Sequence, residues 1–161
     1  MANEIKWTTA ASVALEANGA QITNTSLIAA DDTTLTSSNT SNYPLADFIL
    51  SLDGGLSATT ATTGGININL YRQDLNLAGN SALDEGDPSV ATSSSYKPHY
   101  LGSFILPNSA ASATSTMLHV CNLDSVPILP SEQKYWLENS TGVTVNAGWK
   151  LTVVPKSFVP G

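Results

Sequence analysis

Period-two alternation of apolar residues constrains this chain more than any other feature. From 45 to 52, Ala46, Phe48, Leu50 and Leu52 fall on one side of an extended chain, with Asp47, Ile49 and Ser51 on the other. From 66 to 71, Ile66, Ile68 and Leu70 alternate with Asn67, Asn69 and Tyr71, and from 148 to 154 Trp149, Leu151 and Val153 share a side. Successive side chains of a strand point to opposite faces of its sheet, so each segment reads as a strand with one buried face. Trp149 is therefore assigned to the core. Further strands are predicted at 99–106, 116–123, 133–138 and 143–145, with weaker ones at 13–15, 20–23 and 26–29.

Turn sequences bracket these runs: Asp53-Gly54-Gly55, Gly64-Gly65, Glu85-Gly86-Asp87-Pro88, Pro107-Asn108-Ser109 and Ser140-Thr141-Gly142. The best helical candidate, Ala10 to Ala17, reads equally well as a strand or an arm. Parallel pairing needs long crossovers, and none is evident between these strands, so they are expected to pair antiparallel. The expected fold is all-β, an antiparallel two-sheet sandwich of jelly-roll type, forming one domain over 26–161. Residues 1–25 are rich in Ala, Thr, Asn and Ser and hold few large apolar side chains beyond Trp7, Leu15 and Ile22. They read as an extended N-terminal arm or edge segment, a kind of element that binds by adding to a sheet edge. Ile5 and Trp7 are its candidate partner-binding residues. The polar stretches 30–42 and 76–98 read as loops.

Charge narrows the partners. The 161 residues carry a formal net charge of −7, with only six Lys and Arg. Nucleic-acid affinity rests on neutralising a run of phosphates, so nucleic acid is not an expected partner. The basic residues are scattered singly, and no apolar run approaches a membrane span, so neither a lipid surface nor a bilayer is expected. Cys121 is the lone cysteine, which excludes an internal disulfide and fits folding in a reducing cytosol. Charged residues make up 12% of the chain, and Ser and Thr about a quarter. Such a surface is polar yet largely uncharged, and hydroxyls and amides cost less to desolvate than charges do.

No catalytic constellation stands out. His99 and His119 are the only candidate imidazole bases, and neither sits in a motif. Cys121 lies two residues from His119 and reads as a buried or interface thiol. No enzyme activity and no cofactor are expected. Residues 74–85 place a Gly sixth and a Glu twelfth, as a calcium loop does, with Asp74, Asn76, Asp84 and Glu85 as candidate ligands. The match is partial, and a solvated acidic turn is the competing reading. Trp136, opposite in phase to Tyr135 and Leu137, reads as a partner-binding anchor or a ligand platform. The sequons at Asn24, Asn39 and Asn139 arise readily by chance in this composition.

The segment from Ser131 through Lys134-Tyr135-Trp136-Leu137, Thr141-Gly142 and Trp149-Lys150-Leu151 to Pro155 resembles the closing strands of small virion proteins of tailed bacteriophages. The start Met1-Ala2-Asn3-Glu4-Ile5-Lys6, in a leaderless, acidic, nearly Cys-free chain rich in Ala, Thr and Ser, is similar in style to phage head decoration (cement) proteins. The resemblance implies a homotrimeric jelly-roll protein that binds the major capsid protein on the outside of the virion and stabilises the shell. It carries over no catalytic or ligand residues. A carbohydrate-binding or adhesion module and a tail or baseplate component are the alternatives.

Overall fold

The computed structural model describes residues 5–36, 42–57, 66–76, 79–81, 84–85, 99–106, 119–129 and 131–160. They form nine strands: β1 (Ile5–Thr9), β2 (Val13–Gly19), β3 (Leu27–Leu35), β4 (Leu45–Leu52), β5 (Ile66–Leu75), β6 (His99–Leu106), β7 (His119–Pro127), β8 (Glu132–Ser140) and β9 (Trp149–Pro160). No helix among the described residues is long and apolar enough to cross a membrane.

The two halves of the chain pair in reverse order: β2 with β9, β3 with β8, β4 with β7 and β5 with β6, all antiparallel. A long hairpin of this kind, rolled on itself, gains two new pairings, β4 with β9 and β5 with β8. The result is two sheets, one ordered β1-β9-β4-β7 with β2 also on β9, the other β3-β8-β5-β6. This is the antiparallel two-sheet sandwich expected from the alternation, with the reversed strand pairing of a jelly roll.

The core lies between the sheets, where the alternating residues meet. Phe48, Leu50, Leu52, Trp149, Leu151 and Val153 face inward from the first sheet, and Ile68, Leu70, Phe104 and Leu137 from the second, each almost wholly buried. Phe48 and Tyr135 bridge the sheets with ring centroids 4.9 Å apart, a tilted aromatic contact. Burial holds the Tyr135 phenol protonated, well above its ordinary range, and the hydroxyl donates to Gln133 Oε1 at 2.5 Å. Asn139 is the core's main polar member. Its amide nitrogen donates to the carbonyls of Ile22 and Val143, and its oxygen accepts from the Thr141 N–H and hydroxyl.

The N-terminal segment takes the edge position rather than standing off as an arm. β1 and β2 lie end to end along one side of β9, β1 against Lys156 to Pro160 and β2 against Trp149 to Val153. The Ala10 N–H donates to Pro155 O between them. Leu15 is fully buried, so this stretch contributes to the same core as the rest of the sandwich. The strand expected at 143–145 contracts to Val145, which bridges Ile22 on one side and Leu56 on the other.

Candidate functional site

Two regions of the described surface concentrate polar chemistry. The first is at one end of the sandwich, where the inward face of the second sheet runs out of apolar residues. Along β5, Arg72 and Asp74 continue the row of Ile68 and Leu70, and the register sets His99 of β6 beside Arg72. Arg72 grips Asp74 with Nε at 2.8 Å and a second guanidinium nitrogen at 3.2 Å. The chain returns after β5 to place Glu85 against Asp74, with the Glu85 N–H donating to Asp74 O at 3.1 Å and the Asp74 N–H donating to Glu85 Oε2 at 2.8 Å. The other Glu85 oxygen lies 2.8 Å from His99 Nε2, which is 3.7 Å from Asp74 Oδ2.

This arrangement only half matches the candidate calcium loop, whose competing reading is a solvated acidic turn. Asp74 and Glu85 converge, whereas the Asp84 carboxylate turns back to accept the Asn76 backbone N–H. The third group drawn to Asp74 and Glu85 is the imidazole of His99, from a segment fourteen residues beyond Glu85. Sequence spacing within the loop cannot reveal it, because strand pairing supplies it.

The second region is the outer face of the same sheet. Ser103 donates to Asn69 Oδ1 at 2.6 Å, and Asn69 donates to Glu138 at 2.9 Å and to Ser140 at 3.2 Å. The Tyr71 hydroxyl donates to the same Glu138 oxygen at 2.7 Å, and the Tyr100 and Ser103 hydroxyls are 2.8 Å apart. The Tyr71 and Tyr100 rings meet with centroids 5.6 Å apart. Tyr100 is 59% exposed and Ile105, further along β6, is 71% exposed. The face is therefore a fixed lattice of amides and hydroxyls gathered on the Glu138 carboxylate and carrying two large apolar groups. The period-two pattern that marks the inner face of β5 also marks Asn67, Asn69 and Tyr71 as outer, but their bonding partners come from β6 and β8.

Trp136 sits on this outer face without being offered to a partner, contrary to expectation. It is 3% exposed, its indole N–H donates to Gln73 Oε1 at 2.9 Å, and Lys134 Nζ lies 5.1 Å from the ring centroid. The phase of the strand predicts its face correctly; neighbours on β5 and β8 use up its contact surface. For Ile5 and Trp7 the structure describes the backbone, pairing Ile5 with Pro160 and Trp7 with Phe158; their side chains lie outside the described residues. Nearby, Thr8, Asn42, Tyr43, Pro44, Ser157 and Phe158 line a groove of about 510 Å³. His119 and Cys121 pair in register with Leu52 and Leu50, and their side chains too lie outside the described residues. Of the sequons, Asn139 is fully buried and Asn24 accepts the Gly142 N–H, while Asn39 lies outside the described residues. No family model, curated protein or solved structure matches the chain.

Proposed function

We propose that this chain is a structural protein of a virion, a head decoration protein that binds the major capsid protein on the outside of a phage shell and stabilises it as a homotrimer. The observation that carries the reading is the outer face of β5 and β6, where Tyr100 and Ile105 stand exposed on a lattice of Asn69, Ser103 and Glu138. Such a face is already ordered, so little side-chain freedom is lost when a partner covers it. Its hydroxyls and amides are cheap to desolvate, and its one carboxylate, Glu138, already accepts from Asn69 and Tyr71. Covering Ile105 contributes about 1–2 kcal/mol per subunit. A contact that weak suits a symmetric assembly, where three linked copies multiply it into firm attachment. The jelly roll is the fold that the resemblance to decoration proteins implies.

The test is addition of the purified chain to expanded shells assembled from the major capsid protein encoded with it. A trimer on gel filtration that adds in fixed stoichiometry, and an Ile105→Asp variant that folds but no longer adds, are the expected results. Failure to bind any expanded shell sinks the reading, and binding to tail tubes instead would move the protein to the tail. A second reading, a carbohydrate-binding module, is favoured by the exposed Tyr100 ring beside the Ser103 hydroxyl, a pairing that stacks on and hydrogen-bonds to sugars. Glycan-array binding abolished by Tyr100→Ala would select it.

A further inference from the structure

The geometry points to a transition-metal site, of the kind that takes Zn²⁺, formed by Asp74, Glu85 and His99 at the open end of the sandwich. Their ligand atoms all lie within 4.8 Å of one another. Zinc bonds of about 2.0–2.2 Å set the edges of a tetrahedral site near 3.3 Å. The present separations, 2.8 Å from His99 Nε2 to Glu85 Oε1 and 3.7 Å to Asp74 Oδ2, bracket that edge and reach it with sub-ångström movement. Three protein ligands leave the fourth position of a tetrahedron for water.

The donor set chooses the metal. Calcium takes six to eight oxygens, whereas one imidazole nitrogen with two carboxylates suits zinc and its first-row neighbours. The two carboxylates are held before any metal arrives. Asp74 is 5% exposed and gripped by Arg72, and Glu85 is fixed by the Asp74 N–H. Two carboxylates are set here against one guanidinium, and an imidazole nitrogen faces both of them, a grouping that attracts a divalent cation. Asp74 comes from the end of β5, His99 from the start of β6 and Glu85 from the connection between them, so a bound ion would clamp that connection at its base.

The site is tested on the isolated, tag-free chain after chelator treatment, independently of any capsid or glycan. Titration with Co²⁺ should give visible absorption bands that saturate at one equivalent, and Zn²⁺ should displace it while Ca²⁺ does not. His99→Gln and Glu85→Gln should each weaken binding about tenfold or more, and His119→Gln should leave it unchanged. Zinc-edge anomalous diffraction from soaked crystals should place the ion beside His99 Nε2, a readout that needs no variant. Absence of Co²⁺ and Zn²⁺ binding at millimolar metal, affinity unaltered by His99→Gln, or an anomalous peak elsewhere would overturn the assignment.

Discussion

Replacing Gly19 with Ala should damage this fold more than any other one-carbon change in its edge strands. Gly19 closes β2 opposite Trp149 of β9, and the indole lies over its Cα. A Cβ built there would come 1.9 Å from Trp149 Cε2 and 2.4 Å from Cδ2 and Cζ2. Gly19 is not among the residues with positive φ, so backbone freedom is not the reason for glycine, and in an open strand Ala would gain about 0.5–1 kcal/mol. The sign is reversed here by packing. Trp149 is fully buried, and its indole N–H donates to Ala20 O at 2.7 Å, so the ring cannot slide away without losing both contacts. Overpacking costs about 1–3 kcal/mol and the stranded indole donor about 1 more, which predicts a loss of about 2–4 kcal/mol. That is a large share of the total stability of a domain. Urea unfolding followed by far-UV circular dichroism measures it. Trp149→Leu removes the atoms that clash, so Gly19→Ala made in that background should cost under about 1 kcal/mol, a coupling that contacting residues show and distant ones do not. A loss below about 0.5 kcal/mol in the native background, or the same loss in both, would refute the packing argument.

Asn139→Asp keeps the shape of a buried side chain while turning a carboxylate oxygen toward the carbonyls of Ile22 and Val143. A loss on the order of 4 kcal/mol is expected at neutral pH, with partial recovery in acid as the carboxyl protonates, and equal stability of variant and parent in urea titrations would contradict it. Two native carboxyls should titrate in opposite directions. Burial raises Glu16 above its ordinary range, against the opposing amides of Asn18 and Asp31, so its folded form takes up a proton first and it costs stability as pH rises through its folded pKa. Asp53 is lowered by its hydrogen bonds to Lys150 and Ser51, so its contribution is present at neutral pH and is lost as pH falls through its ordinary and then its folded value. Carboxyl-resolved NMR titration should therefore find Glu16 above and Asp53 below their reference values; the reverse order would contradict both.

How far the sequence reveals the fold depends on whether a strand's neighbours preserve its alternation. β4 is flanked by β9 and β7 and alternates in burial along its whole length, and its predicted bounds, 45–52, are those observed. β3 is a terminal strand of its sheet, and past Ala30 its pairing with β8 shifts register. Asp31, Asp32 and Thr33 there face solvent, so a stretch that reads as a polar loop continues as strand to Leu35. Charges on a terminal strand are also what discourages unwanted pairing. β2 defeats the alternation differently: register shifts around Glu16 put Leu15 and Glu16 both inside, and the segment, with few large apolar side chains, reads as an arm or edge segment with only a weak strand at 13–15. β7 pairs with β4 through a shift near Ala46 and Phe48, and Ser125 has φ of 58°, so the predicted strand at 116–123 ends four residues early.

The candidate sites follow the same logic at longer range. Asp74 and Glu85 are joined by the returning backbone of one loop, and their spacing along the chain offers them as candidate ligands beside the reading of a solvated acidic turn. His99 reaches them because β6 pairs with β5 in a register that sets it beside Arg72, and that register includes a shift between Leu70 and Tyr71. Without the shift, alternation would carry the two strands past each other in the opposite phase, with His99 on the face that Tyr100 now occupies. The bulged position near Leu101 thus serves both sites at once, directing the imidazole toward the carboxylates and the Tyr100 ring toward the outer lattice. Deleting Leu101, the residue that the register skips, should keep His99 opposite Arg72 and Tyr100 opposite Tyr71 in a regular ladder, so metal affinity lost on this deletion would contradict the role given to the register. One local irregularity therefore links two surfaces whose sequence signals are unrelated.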